Sequence, residues 1–292
     1  MKNWNKFHPA IWLAAAVFLF ALLLIGDVLT AVSMSYTFDF VGYGGTFAYP
    51  KTGHILYWAL MLLGFAFTLL LAWLRRKEYG LPCWAAAVIP IAFFILAFAG
   101  GKLLYFLENL HTVLSYGMGL DGISLFGAIF VILIGAAIAG RWNSISMGVL
   151  LDYCTPFGLI LLACVRTGCF FQGCCGGITL WLSNNTPLVL PVQLFEVVLD
   201  LLLLELCLYL ERTHFRQGLQ YPVFLMGYGL IRFLLEFLRN TPKDWFLSNG
   251  QIFALISILL GVLLYRHFQK QTALAAKTTK KGKKGLRTGQ KS

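Results

Sequence analysis

The sequence predicts an all-α protein, a polytopic membrane helix bundle of about eight transmembrane helices. Three observations carry that expectation. Hydrophobic residues make up 59% of the 292-residue chain and charged residues only 12%, against roughly 25% charged in a soluble domain. The mean hydropathy is +0.76. The apolar residues also fall into runs of about 20, the length at which a helix crosses the roughly 30 Å hydrocarbon layer.

Taken in order, the runs lie at about 10–33, 54–74, 83–101, 122–140, 145–165, 190–210, 219–238 and 250–266. The first has a core, Ile11 to Ile25, that resembles a secretion leader. No small-residue cleavage site follows it and further spans do, so it reads as a retained helix. The chain therefore divides into residues 1–53, an extra N-terminal helix and loop, a membrane domain over 54–267, and a tail over 268–292. The tail ends KTTKKGKKGLRTGQKS. It is polar and glycine-interrupted with no face to bury, so disorder beside an anionic leaflet is expected.

Lysine and arginine collect on the cytoplasmic side of membrane proteins. With the N-terminus inside, the inner segments hold Lys2, Lys6, Arg75, Arg76, Lys77, Arg141, Arg212, Arg216 and the nine basic residues from Arg266 onward. The outer segments hold Lys51, Lys102, Arg166, Arg239 and Lys243. Both termini are then cytoplasmic. The net charge of +11 marks a membrane-surface tail, and no nucleic-acid partner is expected.

Charges inside spans are costly and so mark candidate sites. In YGLIRFLLEFLRN, Arg232, Glu236 and Arg239 share one helix face by their spacing. Two readings stand: an internal ion pair with a snorkelling arginine, or a polar face toward a cavity that holds an anion. In PVQLFEVVLD, Gln193, Glu196 and Asp200 are either wetted at a helix end or turned toward those arginines. Asp152, near the inner end of its span and ahead of Pro156, reads as a partner for a cation or for backbone. Residues 117–127, GMGLDGISLFG, suggest a close-packed re-entrant segment or helix start with backbone N–H groups open to an anion.

The stretch RTGCFFQGCCGG, Arg166 to Gly177, puts one arginine and three cysteines into 12 residues. Zinc sites take four ligands, often as two Cys-x-x-Cys pairs. The spacing Cys169-x4-Cys174-Cys175 lacks that pattern and no histidine adjoins it, so no metal is expected. A Cys169–Cys174 disulfide and free thiols acting as small apolar groups both remain open, and thiol or redox chemistry at Cys169, Cys174 and Cys175 with them. Gly168, Gly173, Gly176 and Gly177 suggest a tight turn after a helix. Arg166 beside it offers a planar fork for phosphate.

Five blocks in this order resemble the bacterial prolipoprotein diacylglyceryl transferases. They are LYWALMLLGF with Tyr57, DGISLFG, VRTGCFFQGC preceded by Asp152 and Pro156, PVQLFE, and YGLIRFLLEFLRN. The resemblance covers roughly residues 54–266. It implies a core of seven spans in the bacterial cytoplasmic membrane, so that the N-terminal helix would be an addition. It also implies an enzyme of lipoprotein biosynthesis, without a cofactor. Phosphatidylglycerol would donate its diacylglyceryl group to the lipobox cysteine in the signal peptide of a preprolipoprotein, and glycerol phosphate would leave. Arg232, Glu236 and Tyr57 would be catalytic. Arg166, Arg239, Gln172, Gly168, Gln193 and Glu196 would bind substrate.

The chain departs from the family pattern at three places. Phe126 stands where the family has histidine, Cys169 where it has asparagine, and Cys174 where it has glutamate; the second amide survives only as Gln172. The cysteine-rich turn looks like a recurrent branch of the family. His54, His111 or a cysteine thiolate would then serve in place of the histidine. The alternative is a paralogue that binds phospholipid with different thiol or redox chemistry, or without catalysis.

Overall fold

A computed structural model describes residues 50–110, 122–143, 146–181, 187–214, 217–239 and 246–289. The expected span at 10–33, His111, and the glycine-rich segment up to Asp121 lie outside them. Seven long helices follow in order: α1 (Pro50–Arg75), α2 (Ala85–Glu108), α3 (Leu125–Asn143), α4 (Met147–Gln172), α5 (Val192–Thr213), α6 (Gln220–Leu235) and α7 (Asn249–Gly289). A two-stranded antiparallel hairpin, β1 (Thr179–Trp181) and β2 (Pro187–Val189), separates α4 from α5. A short 3₁₀ turn, Glu236–Leu238, closes α6. Five of the helices are long and apolar enough to cross a membrane.

The distribution of polarity is that of a protein dissolved in lipid. Leu62, Leu70, Leu103, Ile134, Leu202, Leu234 and Leu259 are exposed, whereas Asp152, Glu196, Asp200, Glu236, Gln193 and Gln251 are buried. Charge in hydrocarbon is expensive, so the polar groups turn inward and pair. Small residues set how closely the helices approach. A Cβ on Gly100 of α2 would lie 2.5 Å from the carbonyl oxygen of Gly127 on α3, so the two backbones touch, as small-residue contacts between membrane helices allow.

Helix α4 is the axis of the bundle, packed against α1 on one side and α5 on the other, while α7 packs on α6. Because successive helices run in opposite directions, their termini make two polar ends. At the first, Arg75 Nη1 donates to the Tyr153 carbonyl at 2.8 Å, Nη2 pairs with Glu211, and the Tyr79 hydroxyl donates to the same carboxylate at 2.7 Å. There Asp152 Oδ2 accepts from Gly218 N at 2.7 Å and Oδ1 from Gln220 N at 2.9 Å. Asp152 thus takes up N–H groups at the start of α6, where a helix has unsatisfied donors and favours negative charge. It is the backbone partner that the sequence suggested.

Two expectations need correction. The turn after α4 does not begin at Gly168. The helix runs on through Gln172, because Cys169, Phe170 and Phe171 continue its i→i−4 ladder until Gly173 adopts φ +77° and caps it. The tail expected to be disordered from residue 268 is helical as far as Gly289. Ala, Leu and Lys dominate its first part and favour helix, and Phe268 anchors it by packing on Gly148 and Gly218.

Candidate functional site

The second polar end gathers the residues singled out in the sequence. Glu196, one turn into α5, is fully buried. Its Oε1 lies 2.9 Å from Arg166 Nε. Its Oε2 lies 3.6 Å from Arg232 Nη1 and 3.9 Å from Arg239 Nη1. Glu236 adds a second carboxylate, with Oε2 at 3.1 Å from Arg232 Nη2 and 3.8 Å from Arg239 Nε. Three arginines from α4, α6 and the end of the 3₁₀ turn therefore converge on one buried carboxylate. Of the two readings left open at Glu196, the residue faces the arginines and is not wetted.

Arg166 Nε, Arg232 Nη1 and Arg239 Nε are buried and each is turned to a carboxylate, at 2.9 Å and 3.6 Å from Glu196 and 3.8 Å from Glu236. One turn below Glu196, Asp200 is fully buried and neither carboxylate oxygen has a hydrogen-bond partner among the described residues.

Local structure explains how the arginines are held. The backbone after α4 is stitched into its neighbours: Gly177 N donates to Leu190 O at 2.9 Å and Ile178 N to Leu238 O at 2.9 Å. Gly177 also bridges to Arg239, which fixes the third arginine beside the glycine turn. Gln193 Nε2 donates to the Cys174 carbonyl at 2.6 Å and so holds the turn. Gln172 faces the same way: its side-chain oxygen accepts a weak bond from the Cys174 thiol at 3.9 Å.

Two contributors were not legible as site residues. The Tyr228 hydroxyl donates to Glu196 Oε1 at 3.0 Å. The Ser248 hydroxyl donates to Glu236 Oε1 at 3.0 Å. Ser248 did carry a signal, since Ser-Asn-Gly-Gln has the Ser-x-x-Gln spacing of a capping box. Both halves of that box form: Gln251 N donates to Ser248 Oγ at 3.2 Å and Ser248 N to Gln251 Oε1 at 3.1 Å.

Beside the arginines lies a second cluster. The Sγ atoms of Cys169, Cys174 and Cys175 all lie within 4.8 Å of one another, and all three are free thiols. The capping turn accounts for the convergence. Cys174 N donates to the Cys169 carbonyl at 3.1 Å, and Cys175 takes the left-handed backbone, φ 63°, as the single non-glycine residue to do so among those described. A helix end and two left-handed residues, Gly173 and Cys175, fold the chain back on itself and bring the three cysteines together. Thiol hydrogen bonds from Cys169 and Cys174, with Arg166 and Arg239 nearby, hold the Cys175 thiol below its ordinary range. Tyr57 of α1 is within electrostatic reach of all three cysteines and of Arg166. It touches α4 at Gly168, where a Cβ would come within 2.9 Å of the tyrosine ring.

Phe126 is buried at 4% exposure and packs on Tyr228, Phe130 and Phe253 at ring distances of about 6 Å. An apolar ring there supports Tyr228 and supplies no proton acceptor. The side chain of His54 lies outside the described residues.

Comparison with known proteins matches residues 48–266 to the family model for prolipoprotein diacylglyceryl transferase. The chain is 27% identical over 241 residues to the phosphatidylglycerol–prolipoprotein diacylglyceryl transferase of Clostridium tetani, covering 74% of this chain and 94% of that protein. It is 31% identical over 238 residues to the protein of the same name from Pasteurella multocida, covering 71% and 85%.

Proposed function

The chain belongs to the prolipoprotein diacylglyceryl transferase family, and from that membership we propose that it transfers the diacylglyceryl group of phosphatidylglycerol to the lipobox cysteine of a preprolipoprotein. It is an integral membrane protein, of the bacterial cytoplasmic membrane. The observation that carries the reading is the convergence of Arg166, Arg232 and Arg239 on Glu196.

Three guanidinium groups set against the two carboxylates that pair with them, Glu196 and Glu236, leave one positive charge at the site. A phosphodiester headgroup carries one negative charge and matches it. In a dry interior, charge–charge attraction far exceeds its value in water. Donors preset around a developing phosphate charge stabilise the transition state without reorganising. Arg166 and Arg239 hold the headgroup phosphate. Arg232, fixed by Glu196 and Glu236, supplies field as the leaving group takes charge. Tyr57 orients the nucleophile or the lipid.

The acceptor thiolate attacks the glyceryl carbon, the carbon–oxygen bond to phosphate breaks, and glycerol phosphate departs with the electron pair. A thioether remains. The arginine end faces the extracytoplasmic side, where a signal peptide emerges, and the basic helix α7 ends in the cytoplasm. The family membership and the transferase names of the relatives do not favour the reading of a lipid-binding paralogue without turnover.

The test is to express the chain in a bacterium depleted of its own transferase and, separately, to assay it in phosphatidylglycerol vesicles with a lipobox peptide. Rescue of growth and release of glycerol phosphate are expected. A well-expressed protein that does neither overturns the proposal.

A further inference from the structure

We propose that Cys169, Cys174 and Cys175 form a zinc site with three thiolate ligands and an open fourth position that takes the acceptor thiol. This rests on the transferase reading and supplies what that reading lacks, an activator for the nucleophile in a chain with Phe126 at the family's histidine position.

The geometry is close to what the ion requires. With Zn–S bonds of about 2.3 Å, tetrahedral ligands stand about 3.8 Å apart. The three Sγ atoms already lie within 4.8 Å of one another. The turn is built for this placement. Gly173 ends the helix with φ 77°, Gln193 holds the Cys174 carbonyl at 2.6 Å, and the left-handed Cys175 brings the third sulfur back toward Cys169. A non-glycine residue in that conformation persists only where its surroundings fix it. Three mutually adjacent thiols also exceed the needs of a disulfide, which uses two.

Position and charge fit the chemistry. Three thiolates on a divalent ion leave one negative charge, and Arg166 and Arg239 lie within electrostatic reach of Cys175. Cys169 is buried, Cys174 is half-buried and Cys175 is exposed, so the group opens outward at the end of α4. Three protein ligands with one vacant position is the arrangement of catalytic zinc. A thiol that coordinates the ion is deprotonated outright. The acceptor cysteine binds as thiolate and its proton passes to water. The sulfur then attacks the glyceryl carbon, the carbon–oxygen bond breaks, and glycerol phosphate leaves with the bonding pair under the arginines. The thioether is a weaker ligand than the thiolate and dissociates.

The test uses the full chain in detergent micelles, stripped with a chelator and titrated with Zn²⁺ alone and Cd²⁺ alone. One equivalent of Zn²⁺ is expected, and Cd²⁺ should produce thiolate-to-metal charge-transfer absorption. Both should vanish in the Cys169→Ser/Cys174→Ser/Cys175→Ser protein and persist in Cys83→Ser. Should the triple variant fold poorly, the intensity of the Cd²⁺ band in the native chain, which scales with the number of thiolates, reads the same ligand set. In vesicles, stripping should slow thioether formation about 10²-fold, the scale of proton removal by a positioned base, and Zn²⁺ should restore it. Absence of Zn²⁺ binding, or full activity after stripping, overturns the site and leaves the transferase reading standing. Zn²⁺ bound through the three cysteines with no thioether ever formed overturns thiol activation and the transferase reading together. A disulfide between any two of the three, in protein whose thiols were blocked at lysis, also overturns the site.

Discussion

Glu196 holds the arginines together, and its replacement separates charge from shape. In Glu196→Gln, Arg166 loses its carboxylate partner, and Arg232 and Arg239 keep only Glu236. Removing one member of a buried ion pair costs about 3–5 kcal/mol, so a large drop in melting temperature in micelles is expected, together with loss of activity. Arg166→Lys tests a different property. The positive charge stays, but the planar fork that matches phosphate is lost. The variant should fold normally while kcat/KM falls about 10²-fold, the scale of one lost donor to a developing charge. Unchanged kinetics would remove Arg166 from the headgroup site. The arginines and glutamates were legible in the sequence because ionisable residues in apolar runs stand out. Tyr228 was not, since a tyrosine in a hydrophobic helix gives no sign of where its hydroxyl points.

At the scale of elements, two contacts decide how helices meet. Gly168 of α4 lies under Tyr57 of α1, where a Cβ would approach the ring at 2.9 Å and the Tyr57 Cα at 3.1 Å. Gly168→Ala should cost about 1–3 kcal/mol through overpacking and should displace Tyr57, lowering activity; Gly158→Ala, where the nearest atom is a phenylalanine ring carbon at 3.3 Å, should be milder. Comparing the two by thermal unfolding in micelles checks the contact. Asp152 joins α4 to the start of α6. Asp152→Ala leaves two buried N–H groups without acceptors, at about 1–3 kcal/mol each, and Asp152→Asn, which keeps one acceptor oxygen, should recover part of the loss. Helix existence followed from apolar length: each of the seven apolar runs expected after residue 50 is a helix, and five of these are long and apolar enough to cross a membrane. The ends followed less well. The continuation of α4 to Gln172 depends on how Gly173, and not Gly168, caps it, and a string of glycines does not say which one takes the left-handed conformation.

Across the whole molecule, the two polar ends make orientation testable. Cys83, exposed in the segment between α1 and α2, lies at the Arg75 end, and Thr179 at the arginine–cysteine end is exposed as well. In intact spheroplasts a membrane-impermeant maleimide should label a Thr179→Cys protein at the new residue. Cys83 should react only after permeabilisation. Labelling in the reverse order would invert the assignment drawn from the basic loops.

The sequence by itself determined the solvent of the protein, the number of helices among the described residues and the identity of its buried charges. Each of these is written in local composition, through the cost of exposing polar groups to hydrocarbon. Only the tertiary structure decided which charges meet and that three cysteines separated along the chain form one cluster. Those outcomes depend on antiparallel packing, on one helix cap and on one left-handed residue, and the physics that selects them acts between segments distant in sequence.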